Sequence, residues 1–413
     1  MPLPTLCLNI STKPFRFFKF SAKSTIMDIQ VANRLQHTEE YYFSKKLREI
    51  DALNKAGKQI INLGIGSPDL PPHPDVIQVL SEQASLPNTH GYQNYKGAPI
   101  LRKAMADWYA RYYQAHLNPD TEILPLIGSK EGIVHICMTY LQDGDKVLVP
   151  NPGYPAYTSA VRISGATVIP YELEEESHWL PNLAEIEKSD LTKVKMMWIN
   201  YPHMPTGTLA STEFFEQIIA FGKKHNILIC HDNPYSFILN DQPKSILSIE
   251  GALDVAIELN SLSKSSNMAG WRIGMLLANE TRINEILRFK SNMDSGMFLP
   301  LQVAAATALN LDKGWYTQLN EEYQKRREKV FEIMDLLGCS YSKDQVGLFV
   351  WAKIPVHFKD CYEICDEVLY KSHVFITPGG IFGSAGNRYI RISLCATPEV
   401  FQQAIDRIEN TLS

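Results

Sequence analysis

Lys264 stands in the run Ser261-Leu262-Ser263-Lys264-Ser265-Ser266, just past the apolar stretch Val255–Leu259. If that stretch is a strand, the lysine lies at its carboxyl end, where α/β sheets bind their ligands. Desolvation or a nearby cation makes a lysine give up its proton, and the free amine can form a Schiff base with a carbonyl. The neighbouring hydroxyls and Arg272 are anion ligands of the kind a phosphate-bearing cofactor requires. A Ser-rich loop with an incidental lysine would show the same residues. A second segment, Ile227-Leu228-Ile229-Cys230-His231-Asp232-Asn233-Pro234-Tyr235, weighs against that plain reading. An acid directly after a buried strand is costly unless a cation faces it. A protonated pyridine nitrogen is such a cation, and an aspartate beside it keeps the ring an electron sink. Tyr235, three residues on, is close enough to hydrogen-bond a phenolic oxygen on the same ring. Alone, Asp232 would read as a turn cap before Pro234.

Five further segments have less individual weight. Gly128-Ser129-Lys130-Glu131-Gly132 is a small-residue turn opening a helix, whose amides and dipole can hold a phosphate. Asn200-Tyr201-Pro202-His203-Met204-Pro205-Thr206-Gly207 is a turn directly after a strand, and Asn151-Pro152-Gly153-Tyr154-Pro155 sets an aromatic ring after another. Gly66-Ser67-Pro68-Asp69 and the segment from Gly383 to Ser393, with Arg391 on its final strand, complete the set. Taken singly, each of the last three is an ordinary turn or a structural ion pair.

These residues need a scaffold, and the chain supplies one. Short apolar runs at Lys146–Val149, Ala166–Tyr171, Val194–Ile199, Ile227–Cys230, Val255–Leu259 and Arg272–Leu277 alternate with helical patterns at Lys130–Tyr140 and Thr212–His225. Such alternation predicts an α/β fold: a mostly parallel sheet, of a seven-stranded type, covered by helices on both faces. The tail, with strands at Gly347–Ala352, Val374–Ile376 and Tyr389–Ser393, predicts a smaller α+β unit, with a helix at Gln318–Leu337 bridging the two. The expected division is a segment 27–75 joining the small unit, a large domain over 76–312, and the small domain over 313–413. No internal repeat or low-complexity block interrupts it.

The 413 residues carry 45% hydrophobic and 21% charged side chains, an ordinary globular balance that excludes a disordered chain, a collagen and a coiled coil. A net charge of −5 offers no basic field for nucleic acid or an anionic membrane. No apolar run approaches the roughly 18 residues of a membrane span. The seven cysteines are odd in number and scattered, which predicts a reducing, cytoplasmic compartment. Cys361 and Cys365 are one helical turn apart, but no second pair of soft ligands accompanies them, so they read as small apolar residues on a buried helix face and no metal is expected. Residues 1–26 carry Lys13, Arg16, Lys19 and Lys23 without any acid, as a targeting leader would. The stretch is short and lacks an amphipathic pattern, so a start at Met27 is the simpler expectation.

In this order the motifs resemble the fold-type I, class I/II aminotransferases that use pyridoxal 5′-phosphate, from about Asn62 to Ser393. Ser-x-Ser-Lys with Arg eight residues after the lysine, preceded by Asp-x-x-Tyr, is the specific part. The resemblance implies an aspartate aminotransferase-like fold and assigns Lys264 as the cofactor-bearing lysine and proton shuttle. It makes Asp232 the partner of the ring nitrogen and Tyr235 a ligand of the phenolic oxygen. Ser129, Lys130, Ser261, Ser263 and Arg272 become the phosphate cup, Ser129 and Lys130 acting through backbone amides, and Tyr154 the ring stacked on the cofactor. Asn200 joins the cofactor ligands, and Gly66 the backbone that approaches substrate. Tyr92, in Tyr-x-x-x-x-Gly-x-x-x-Leu-Arg, resembles a tyrosine that reaches the phosphate of a neighbouring subunit, implying a homodimer with shared sites. Arg391 resembles the guanidinium that holds the substrate α-carboxylate through two parallel hydrogen bonds. The family's Asn-Pro-Thr-Gly is here Met204-Pro205-Thr206-Gly207, and methionine cannot donate the hydrogen bond that the asparagine gives the phenolic oxygen; Asn200 and His203 are the neighbours able to replace it. The implied reaction is transfer of an amino group from an L-amino acid to a 2-oxo acid. A β-eliminating carbon–sulfur lyase on the same fold and a non-catalytic cofactor-dependent regulator are the competing readings. The segments at Gly128–Lys130 and Asn200–Pro202 also resemble the LL-diaminopimelate branch, while aspartate, alanine, methionine and aromatic specificities remain open.

Overall fold

A computed structural model of the chain describes residues 29–35, 40 and 42–412. The expected leader over 1–26 and the start at Met27 lie outside the described residues. Seven strands form the main sheet: β1 (Ile123–Leu126), β2 (Lys146–Asn151), β3 (Thr167–Glu172), β4 (Val194–Ile199), β5 (Leu228–Asp232), β6 (Ala256–Ser261) and β7 (Gly274–Leu277). Their order is β1-β7-β6-β5-β4-β2-β3. Parallel pairing runs from β3 through β2, β4 and β5 to β6, and β7 alone runs against both of its neighbours. Helices Ser129–Tyr140, Pro155–Ile163 and Thr212–His225 make the crossovers that parallel strands require.

The strands read as unbroken apolar runs because both faces are covered. Along β4, Met196 and Trp198 enter one core while Met197 and Ile199 enter the other. β5 alternates in the same way, which leaves His231 and Asp232 pointing to opposite faces at its carboxyl end. His231 meets the fully buried Glu258 of β6 at 2.8 Å, and that carboxylate also accepts from Tyr109 (2.6 Å), Ser245 (2.8 Å) and the amide of Ile246 (3.1 Å). Several donors are what allow a carboxylate to remain inside the core.

β1 was not expected: it is four residues long, includes Pro125, and occupies the sheet edge where proline is tolerated. The strand expected from Arg272 starts at Gly274 instead, because Arg272 takes a left-handed conformation (φ 57°).

The smaller sheet has β8 (Phe349–Lys353), β9 (Thr377–Pro378) and β10 (Tyr389–Ser393), antiparallel in the order β9-β10-β8. Ile61 and Leu63 join its core, so the segment ahead of the large sheet packs with the tail. The bridging helix spans Lys313–Leu336, five residues earlier in start than the sequence pattern suggests, because the Asp312 side chain caps it at 2.7 Å from the Gly314 amide. Tyr316 enters the large core, whereas Leu319, Tyr323, Val330 and Phe331 enter the smaller one. Cys361 and Cys365 are buried in that second core on the helix Cys361–Ser372.

Candidate active site

The carboxyl ends of β5 and β6, the turn after β1, the middle of β10 and the helix Tyr42–Lys55 converge on a cavity of about 570 Å3. Ser261 ends β6, and its hydroxyl accepts from the Ser263 amide at 3.1 Å, turning the chain into the short helix that carries Lys264. Lys264 Nζ donates to the Gly66 carbonyl at 2.6 Å. Burial lowers its proton affinity, and Arg391 and Arg272 add to the effect, so the amine is easily freed for nucleophilic or proton-transfer work.

Asp232 closes β5. Its Oδ2 accepts from the hydroxyl of Tyr157 at 2.9 Å, while Oδ1 is buried without a hydrogen-bond partner. Burial pushes this carboxyl up to about 6, against the pull of Tyr157 in the other direction. A cation at Oδ1 would remove the imbalance. Tyr157 is itself fixed by stacking on Trp198, with ring centroids 4.9 Å apart and planes at 6°. The sequence reading missed Tyr157, and the only local signal was its place three residues after Tyr154 on the first turn of a helix.

The anion-binding end is built from the turn Gly128–Lys130. Gly128 precedes the helix Ser129–Tyr140 with φ 83°, and a Cβ there would strike the Arg272 guanidinium. Arg272 donates to the Ala269 carbonyl at 2.8 Å and approaches the Ser263 hydroxyl at 3.5 Å. A Cβ on Gly274 would come within 2.5 Å of the Ser129 amide, so glycine keeps that helix start close to β7. Ser129, Ser261, Ser263 and Arg272 thus surround a helix N-terminus, an arrangement suited to a phosphate.

Arg391 faces the cavity from β10. It donates to the Gly64 carbonyl at 2.9 Å and to the Met204 sulfur at 3.3 Å. Its guanidinium carbon lies 3.8 Å from the ring centroid of Phe349 and 4.6 Å from that of Phe382. Two aromatic faces hold the fork in one orientation.

Twelve of the thirteen expected site residues line this cavity: Gly66, Ser129, Lys130, Tyr154, Asn200, Asp232, Tyr235, Ser261, Ser263, Lys264, Arg272 and Arg391. Tyr92 does not, and is 95% exposed. The Asn200 amide is bound at both ends, donating to the Asp232 carbonyl at 2.5 Å and accepting from the Met204 amide at 2.8 Å. His203 turns to Thr206 at 2.8 Å and does not line the cavity; burial lowers its imidazole to about 3. Glu131, His135 and Asp294 gather their ligand atoms within 4.8 Å, but Lys290 already holds both Asp294 oxygens at 2.6 and 2.8 Å.

The cavity therefore brings together an easily deprotonated amine, a buried carboxylate, a turn suited to an anion and a guanidinium fork. A profile of aminotransferase class I and II matches residues 58–408. The chain belongs to this family. This aminotransferase is 41% identical to an LL-diaminopimelate aminotransferase of Dehalococcoides mccartyi over 382 residues, which are 92% of this chain and 98% of that one. Its structure is similar to apo-BacF of Bacillus subtilis, with a TM-score of 0.89 and 37% identity, covering 93% and 98% of the two chains. A Thermus thermophilus aspartate aminotransferase mutant shares the fold at 21% identity, with a TM-score of 0.86 and coverage of 93% and 100%. The aminotransferase moves amino groups between amino acids and oxo acids. No described helix is long and apolar enough to cross a membrane.

Proposed function

We propose that the aminotransferase carries pyridoxal 5′-phosphate on Lys264 and, as a cytoplasmic homodimer, transfers the amino group of an L-amino acid to a 2-oxo acid. The observation that carries this reading is the buried, unpartnered Oδ1 of Asp232 in the same cavity as Lys264. A protonated ring nitrogen is the cation that this atom lacks. The cofactor would supply an electron sink for the Cα–H bond of the substrate. The remaining work would fall to the chain: Arg391 would hold the α-carboxylate, the freed Lys264 amine would take the proton from Cα and deliver it to the C4′ carbon of the cofactor, and Tyr235 would reach the phenolic oxygen. Ser129, Ser261, Ser263, Arg272 and the Lys130 amide hold the phosphate, Tyr154 covers the ring, and Asn200 ties the Asp232 strand end to the Met204 turn. The six described cysteines are all free, in keeping with a reducing compartment. We assign the large domain to 76–312 and the small one to 27–75 with 313–413. Borohydride treatment of the loaded enzyme followed by peptide mapping should find the reduced adduct on Lys264. Label on a different lysine would remove the assignment.

The exposure of Tyr92 supports a dimer in which it completes the phosphate cup of the other subunit. Sedimentation should find a dimer at assay concentration, and Tyr92→Phe should weaken cofactor binding by about 0.5–1.5 kcal/mol, the worth of one hydrogen bond. A fully active monomer would contradict this arrangement.

Met204 takes one N–H of Arg391 through its sulfur but has no hydrogen to give the phenolic oxygen. Asn200 gives one N–H to the Asp232 carbonyl and His203 turns to Thr206, so Met204→Asn should place a further donor in this turn. A donor favours the deprotonated oxygen. The visible-spectrum titration of the loaded enzyme should therefore move to lower pH by less than about one unit. An unmoved titration would mean that a neighbouring group already fills the role.

A further inference from the structure

The amino-acid side chain must occupy whatever part of the cavity remains once the amine, the anion cup and the fork are assigned. The larger apolar side chains left in the lining after that assignment are Phe43, Leu47, Ile65, Met204, Phe349 and Phe382. Ser44 is the one polar side chain that the assignment leaves beside them. The described cations lining the cavity are Lys130, Lys264, Arg272 and Arg391. Lys264 is the reacting amine, Arg391 is the fork, Arg272 belongs to the anion cup, and Lys130 follows Ser129 in the first turn of the helix whose N-terminus forms that cup. The basic residues of the helix that brings Phe43 and Leu47 to the cavity lie outside its lining. Lys46 pairs with Glu49 at 2.9 Å, Arg48 pairs with Glu40, and Lys45 is exposed.

From this lining we infer that the preferred amino donor is an L-amino acid with a bulky uncharged side chain, of the phenylalanine, leucine or methionine type. An acidic donor or a diamino dicarboxylate is disfavoured. The inference rests on the proposed transamination and adds its specificity. A distal carboxylate or ammonium placed against Phe43, Ile65 and Phe349 would lose water and meet no counter-charge among these residues. An apolar side chain gains from the same burial, and a thioether or aromatic ring finds ring edges to pack on. The phenylalanines serve two purposes, since Phe349 and Phe382 also clamp Arg391. Bulky apolar substrates and α-carboxylate recognition are thus built from the same rings.

The test is a single-turnover panel on the pyridoxal 5′-phosphate-loaded enzyme, following the visible absorption of the bound cofactor with one donor at a time. L-Phenylalanine, L-leucine and L-methionine should react with second-order rate constants at least about 100-fold above those of L-aspartate, L-glutamate and LL-diaminopimelate. Leu47→Arg, a change at a residue 42% exposed, should raise the aspartate-to-phenylalanine ratio several-fold. If LL-diaminopimelate or an acidic donor is fastest, the inference is overturned while transamination stands, and a partner subunit supplies the missing charges. If no donor changes the spectrum, the proposed function itself fails.

Discussion

Lys264→Ala will lower the rate of amino-group transfer by at least about 10⁴-fold, the upper range of what a positioned general acid–base contributes. Lys264 is the described amine whose Nζ is fixed at the Gly66 carbonyl and which burial primes for deprotonation. The variant should still bind pyridoxal 5′-phosphate through the anion cup and Asp232, so stopped-flow mixing with an amino donor will show binding without turnover. A small exogenous amine should restore part of the rate, as a structural lesion would not allow. In the wild-type enzyme the neutral amine is the reactive form. Cofactor loading should therefore accelerate as pH rises and level off below the ordinary lysine value of about 10.4, because the Lys264 proton is held less tightly. Loading that keeps accelerating past that value would contradict the lowered proton affinity.

Asp232→Asn should lower turnover by about 10²–10³-fold, comparable to the removal of one preorganised electrostatic partner. The same change should make the cofactor-free protein more stable at neutral pH. The sign follows from the raised carboxyl of Asp232, which lies near 6 in the fold against an ordinary 3.8. A group raised in this way contributes fully below its unfolded value, and the contribution is lost as pH climbs through about 6. At pH 7 the cofactor-free fold thus bears a buried charge that the amide would remove, a difference on the order of 1–3 kcal/mol. Denaturant titration of the cofactor-free variant and wild type will measure it. The difference should shrink below pH 4 and should reverse once cofactor is bound, since only the carboxylate can face a cation.

The meeting of Lys264, Asp232 and Arg272 at one cavity was legible because they stand beside strand ends, and strand ends can be read from short apolar runs. The fold class was legible for the same reason: β4 through β6 show the unbroken apolar pattern of strands covered on both faces. Tyr157 was not, since a tyrosine within Pro155–Ile163 looks like any core aromatic until the fold brings its hydroxyl to Asp232. The thioether contact between Met204 and Arg391, and the rings of Phe349 and Phe382 on either side of that guanidinium, join residues far apart in the chain. Only the tertiary structure could reveal them. β1 escaped because four residues containing a proline give no periodic signal. The left-handed turn at Arg272 escaped because a positive φ at an arginine is uncommon and leaves no mark in the sequence.

The helix Lys313–Leu336 is rooted in both cores, and the cavity draws its two grips from the same pair: Lys264 and Asp232 from the large sheet, Arg391 and Phe349 from the small one. A ligand that spans the cavity is therefore a mechanical tie across a joint. Its binding adds to the cohesion between the cores, by an amount that grows with the logarithm of the ratio of its concentration to its dissociation constant. Substrate depletion loosens that joint and abundance tightens it, so the durability of the enzyme is coupled to the supply of what it consumes.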